Sequence, residues 1–152
     1  MVLISHRGNL NGPNEERENH PDYIMEAVQQ GYPVEVDVWR ERGQWMLGHD
    51  CPQYTTTLEF ISHPEFYIHA KNLEALTFLT STDLHYFWHQ EDDFTLTSKN
   101  LIWTYPRKPV TSRSIVVCQS TQEVDDYLKS GACGICADYR DGSFLTETHY
   151  NV

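Results

Sequence analysis

Glu35 and Asp37 stand two residues apart in VEVDV, between Val34, Val36 and Val38. Side chains alternate along an extended strand, so the three valines take one face and both carboxylates the other. Two acids side by side repel unless something positive sits between them, and a hard divalent cation with oxygen ligands is a common solution. An edge strand with both acids in water is the plain alternative. After a turn at Gly43 and a second apolar run comes His49-Asp50, an imidazole able to carry a proton at neutral pH beside a carboxylate able to orient it. At the other end of this stretch, the apolar VLIS runs into His6-Arg7-Gly8. A titratable ring, a planar fork of donors and a flexible turn at one strand end are a phosphate site in outline.

Taken in chain order, His6-Arg7-Gly8, Glu18-Asn19, Glu35-x-Asp37 and His49-Asp50 resemble the glycerophosphodiester phosphodiesterase family, within the wider superfamily of phosphodiesterases that share a phospholipase C-like barrel. The resemblance implies an α/β fold, a compact (β/α)8-type TIM barrel, with its active site at the C-terminal ends of the strands. That fold typically takes about 250 residues, so a chain of 152 must have shortened or lost several helices. YIHAK looks like the family's third strand and GICADY like its last.

The activity implied is that of a metal-dependent phosphodiesterase cleaving a glycerol- or sugar-linked phosphodiester. Glu35 and Asp37 would bind one divalent cation, Mg2+ or Ca2+, that polarises the ester. His6 and His49 would be acid and base, Arg7 a bidentate clamp on the phosphate oxygens, and Lys71 a second positive point. The attacker is either an adjacent hydroxyl of the substrate, giving a cyclic phosphate, or water. Trp88 is expected to line the pocket and stack on a sugar or glycerol. Glu18 is placed to reach the same cluster, and Asn19 to cap the following helix.

The chain departs from the family at His69, where the third strand would otherwise offer a metal-binding glutamate two residues before Lys71. Three roles stay open: a nitrogen ligand that tilts the site towards Mn2+ or Zn2+, a packing residue, or the mark of a broken site. The last links to a different function, a non-catalytic module that binds phosphorylated metabolites or glycans on the same fold. Two proton carriers argue for the enzyme, and His69 with the missing helices argues for the binder.

The elements that must position these groups follow from local signals. Residues 2–5 read as the first strand and residues 9–16 as a polar loop suited to a mobile rim. Pro21 to Gly31 has the start, spacing and stop of a helix of about ten residues. Residues 65–70 form a strand that sends Tyr67, His69 and Lys71 to one face, and Asn72 caps a helix carrying Leu73, Leu76 and Leu79. Residues 85–89, 94–96 and 101–104 read as further strands, with spacing too tight for a helix between the last two. SIVVC is a buried strand, Ser120-x-x-Glu123 a capping box, and residues 135–137 the final strand.

Composition sets limits. There are 11 basic and 22 acidic residues, a net charge of −11, which argues against bulk nucleic-acid binding, so any phosphate site is local. No apolar run reaches the ~18 residues of a membrane span, and Met1–Ile4 is too short for a signal peptide, so a single domain over residues 1–152 in the cytoplasm is expected. Cys133 and Cys136 read as thiols on opposite faces of a strand, not as half of a zinc site. Missing helices would leave Phe87, Leu101 and Trp103 partly exposed, and a homo-oligomer covering that flank is the expectation drawn from it.

Overall fold

The computed structural model describes residues 1–140, which form ten strands and four helices. In chain order these are β1 (Val2–His6), α1 (Pro21–Gln29), β2 (Val34–Glu41), β3 (Gln44–Leu47), β4 (Tyr54–Thr55), α2 (Leu58–Ile61), β5 (Phe66–Ala70), α3 (Leu73–Leu79), β6 (Tyr86–Phe87), β7 (Phe94–Leu96), β8 (Ile102–Thr104), β9 (Ser114–Cys118), α4 (Thr121–Tyr127) and β10 (Gly134–Ala137).

All ten strands belong to one mixed sheet. Its parallel spine runs β6-β5-β2-β1-β10-β9-β8, and β7 closes one end antiparallel to β8. The sheet curls into a half-barrel, and the expected compact (β/α)8-type TIM barrel is not what forms. Only α1, α3 and α4 cover a direct crossover between neighbouring parallel strands. Elsewhere a helix is replaced by strands. β2 runs on into a hairpin with β3, because Arg42 and Gly43 both adopt positive φ (52° and 79°), the geometry of a tight two-residue turn. β4 then adds antiparallel to β3. Between β6 and β7 no ladder forms, and the ends meet through single bonds such as Ser98 N–H to Tyr86 O at 2.8 Å.

The helices start where the sequence caps them. Pro21 occupies the first turn of α1, and the Asn72 and Ser120 side chains accept from Ala75 N–H and Glu123 N–H to open α3 and α4. The capping position of α1 belongs to His20, not Asn19. The convex face of the sheet is apolar: Val34, Val36, Val38, Ile68 and Ala70 pack beneath α1 to α3, while Val116, Ile135 and Ala137 pack around Val124 of α4.

The concave face is filled at its base by Ile4, Phe87, Trp103, Ile115 and Cys136. Phe87 and Trp103 are buried and stack with centroids 4.2 Å apart, so two of the three residues on which the expected homo-oligomer rested are interior. A curled sheet covers this face with its own opposite side, and no helix is needed there. The exposed apolar side chains of that flank are Phe94, Leu96 and Tyr105. Cys133 and Cys136 are free thiols that pack against the same interior cluster, contrary to the expectation of opposite faces, since Cys133 precedes the strand and its alternation. Among the described residues no helix is long and apolar enough to cross a membrane.

Candidate functional site

Above that apolar base, alternation along β1, β2 and β5 raises His6, Glu35, Asp37 and His69 from the concave face, and Lys71 follows the end of β5. Of these, His6, Glu35, His69 and Lys71 line a cavity of about 560 Å³ together with Arg7, His49, Trp88, His89, Tyr105 and Gln119. The cavity sits at the C-terminal ends of the parallel strands, and it gathers the separated sequence motifs into one place.

His49 arrives through the β2–β3 hairpin, which folds the chain back so that Gly48 N–H bonds Asp37 O. Gly48 is indispensable here: at φ 153°, an added Cβ would lie 2.0 Å from the Cys51 carbonyl oxygen. Arg7 leaves β1 in the left-handed region (φ 59°), a conformation that costs a non-glycine residue free energy and tends to occur at functional sites. Gly8 beside it is equally constrained, because a Cβ there would meet the Tyr23 ring at 2.8 Å.

Asp37 is the hub and is fully buried. Its Oδ2 accepts from Asn19 Nδ2 at 2.8 Å and lies 3.1 Å from Arg7 Nε and 3.3 Å from His49 Nδ1. Its Oδ1 lies 3.1 Å from His69 Nδ1 and 3.8 Å from Lys71 Nζ. Burial alone would raise this carboxyl, but the contacts with His49, His69 and Arg7 hold it ionised, well below the usual carboxylate range. Glu35 lies one pleat deeper, with Oε1 3.6 Å from His69 Nδ1 and Oε2 3.7 Å from His6 Nε2. Burial opposes protonation of His69, yet the neighbouring Asp37 and Glu35 carboxylates prevail and raise it to about 9.

His6 has a partner that sequence reading left without a role. Its Nδ1 lies 2.8 Å from Asp138 Oδ1, just past the end of β10. Burial lowers the His6 pKa, but the Asp138 bond and the Glu35 charge outweigh it and the net shift is upward. Asp138 also accepts from Asn9 Nδ2 at 2.8 Å, and the same amide reaches Glu18 Oε1 at 2.9 Å. Glu18 in turn takes Arg7 Nη1 at 3.1 Å. No family model matches the chain, and no curated protein or solved structure matches it either.

Each residue assigned from sequence therefore has a place, with several corrections of detail. His6, His49, Arg7, Lys71, Trp88, Glu35 and His69 line the cavity, and buried Asp37 contacts four of them, Arg7, His49, His69 and Lys71. Arg7 is not a free clamp, since Nε and Nη1 are engaged by Asp37 and Glu18 and only Nη2 is left, 3.2 Å from His49 Nε2. Asp50 does not orient His49: it is 94% exposed, and Asp37 takes the Nδ1 side instead. Asn19 does not cap α1; it is fully buried and holds both the Asp37 carboxylate and its N–H. The expected loose rim after β1 is tied down, with Gly12 N–H bonded to Asp138 O and Arg140 N–H to Leu10 O.

Two observations bear on whether these residues suit a cation. One ligand atom each from Glu35, Asp37 and His69 lie within 4.8 Å of one another, and buried Glu35 Oε2 and Asp37 Oδ1 have no hydrogen-bond partner. A buried carboxylate oxygen without a donor is costly unless something positive fills the gap. Among the described residues, Glu18, Glu35, Asp37 and Asp138 face only two permanent cations, Arg7 and Lys71. The groups of fixed charge leave a net of two negative charges, which His69, raised to about 9, offsets only in part. The donor set fits the group.

Proposed function

We propose that this chain is a metal-dependent phosphodiesterase that cleaves a small glycerol- or sugar-linked phosphodiester, with His6 and His49 as the two proton carriers. What supports the reading is that each imidazole is braced by its own carboxylate, Asp138 and Asp37, at a single cavity that also holds the unpaired oxygens of Glu35 and Asp37. A binding module has no use for two braced proton carriers.

Glu35, Asp37 and His69 are the residues that would hold the cation. When bound, it supplies positive charge that polarises the phosphodiester and offsets charge growing during attack. Asp138 takes the His6 Nδ1–H, which fixes the ring and leaves Nε2 to serve the reacting oxygens.

His49 is held differently. Arginine can only donate, so Arg7 Nη2 at 3.2 Å is received by the His49 Nε2 lone pair, and Nδ1–H turns to Asp37. A phosphate that draws Nη2 onto its own oxygens uncovers that lone pair. Substrate binding and the release of His49 for proton transfer are thereby coupled. Lys71 provides a further positive point, and Trp88 and Tyr105 offer aromatic surface to the alcohol portion.

The test is release of p-nitrophenol from bis(p-nitrophenyl) phosphate, and of glycerol phosphate from glycerophosphocholine, with divalent metal added. Turnover that vanishes in His6→Ala and in His49→Ala supports the reading. Saturable binding of glycerophosphocholine without any product overturns it in favour of a binding module.

A further inference from the structure

The structure assigns His69 Nδ1 as the third ligand beside Glu35 and Asp37, and so makes the site one for a first-row transition cation such as Mn2+ or Zn2+ rather than for Mg2+ or Ca2+. This rests on the reading of the two acids as cation ligands, but not on turnover.

The tautomer is decided by a backbone group. His69 Nε2 lies 2.9 Å from the His89 carbonyl oxygen, which can only accept, so Nε2 carries the hydrogen. A cation that displaces the second ring proton therefore meets the lone pair on Nδ1, the atom that lies 3.1 Å from Asp37 Oδ1 and 3.6 Å from Glu35 Oε1. A ligand imidazole whose far N–H is fixed by a carbonyl is a recurring arrangement at metal centres.

Packing holds the ring in that pose. It lies flat against Phe87, centroids 5.0 Å apart and 17° from parallel, and its side chain is 13% exposed. Asp37 Oδ1 beside the ring, and Glu35 Oε2 between that carboxylate's His69 and His6 contacts, have no hydrogen-bond partner among the described residues, and the two residues are 0% and 2% exposed. One nitrogen and two carboxylates thus converge within 4.8 Å of one another. Mg2+ and Ca2+ favour shells made wholly of oxygen, whereas imidazole nitrogen adds affinity for transition cations.

Because transition cations bind most mixed sites more tightly than Mg2+ does, the informative quantity is the change in preference when the nitrogen is removed. Calorimetric titration of the metal-free protein with Mn2+ and with Mg2+, in the native chain and in His69→Glu, gives that ratio. The preference for Mn2+ over Mg2+ is expected to fall by about tenfold or more in the variant. Pulsed EPR of bound Mn2+ should show coupling to a coordinated imidazole nitrogen that His69→Glu abolishes.

An unchanged ratio, or a native Mn2+ spectrum without that nitrogen coupling, overturns the inference. Should circular dichroism show His69→Glu unfolded, His69→Gln replaces it, with loss of the nitrogen signal as the supporting result and its persistence as the refuting one. Nitrogen coupling without phosphodiester turnover leaves this inference standing and removes the proposed function. Turnover with an Mg2+ preference that ignores His69 does the reverse.

Discussion

The two halves of the concave face are built on opposite plans. Along β1, β2 and β5 it carries interlocked charge: His6, Glu35, Asp37 and His69, with Arg7 and Lys71 at the strand ends. Along β6, β8 and β9 it carries Phe87, Trp103, Ile115 and Val117, and among these the contacts are stacking and apolar. The charged half lies opposite the convex face covered by α1 to α3, and the aromatic half belongs to the stretch where β6 passes to β7 and β8 without a helix. The apolar half, where α4 backs β9, is filled by groups that attract one another without exact geometry.

The comparison breaks most visibly at the centre of each half. Asp37→Ala leaves Arg7, His49 and His69 facing one another without their acceptor, and a loss of about 3–5 kcal/mol in unfolding free energy is expected. Ile115→Ala, in the apolar half, should cost about 2–5 kcal/mol through the cavity it opens. The two part company when metal is added: Mn2+ should raise the midpoint of thermal unfolding in Ile115→Ala as in the native chain, and leave Asp37→Ala unmoved. Equal responses would show that the charged half is not a cation site.

A smaller change sharpens the charged half from within. Asp138→Asn keeps the volume but presents His6 with an amide in place of a carboxylate, and kcat should drop by about 100-fold, close to 2.7 kcal/mol in the barrier, with KM little changed. A matching rise in KM with kcat intact would instead give Asp138 a part in substrate binding.

The smallest effect concerns His85, at the entry to the aromatic half. Burial, with Lys99 nearby, lowers its pKa from 6.5 to about 4, and Nε2 pairs with Thr97 Oγ1 at 2.8 Å. Between those values the unfolded chain binds a proton that the folded chain refuses. The stability this ring contributes is therefore complete above about pH 6.5 and drains away as pH falls towards 4. Urea midpoints measured near pH 7 and near pH 5 should converge more in His85→Gln than in the native chain, whereas parallel lines for the two proteins would remove His85 as the cause.

Much of the charged half was legible in the sequence because each of its groups sits in a strong local pattern. Val34 to Val38 fixes which face Glu35 and Asp37 share, and Tyr67, His69 and Lys71 follow the same period on the neighbouring strand. Asp138 and Asn19 were missed as site residues for a common reason: their partners, His6 and Asp37, are remote in sequence, and nothing local distinguishes them from a strand-end acid and a helix cap. Arg7 was found, but its engagement with Glu18 depends on a left-handed backbone that no side-chain pattern announces. The barrel failed as an expectation because strand count alone does not set strand direction. The 94–104 segment was rightly read as lacking a helix, and a hairpin between β7 and β8 is the necessary result, since parallel neighbours need a long crossover.

The gap between β6 and β7 has a dynamic consequence. With no ladder across it, this is where amide exchange should begin, at Tyr86, Ser98 and their neighbours, well before the sheet as a whole lets go. β1 and β10 lie midway round the curl, as far from that opening as the topology allows, and β2, which carries Asp37, pairs with β1. The molecule can therefore breathe at its free margins while the hub around Asp37 stays assembled.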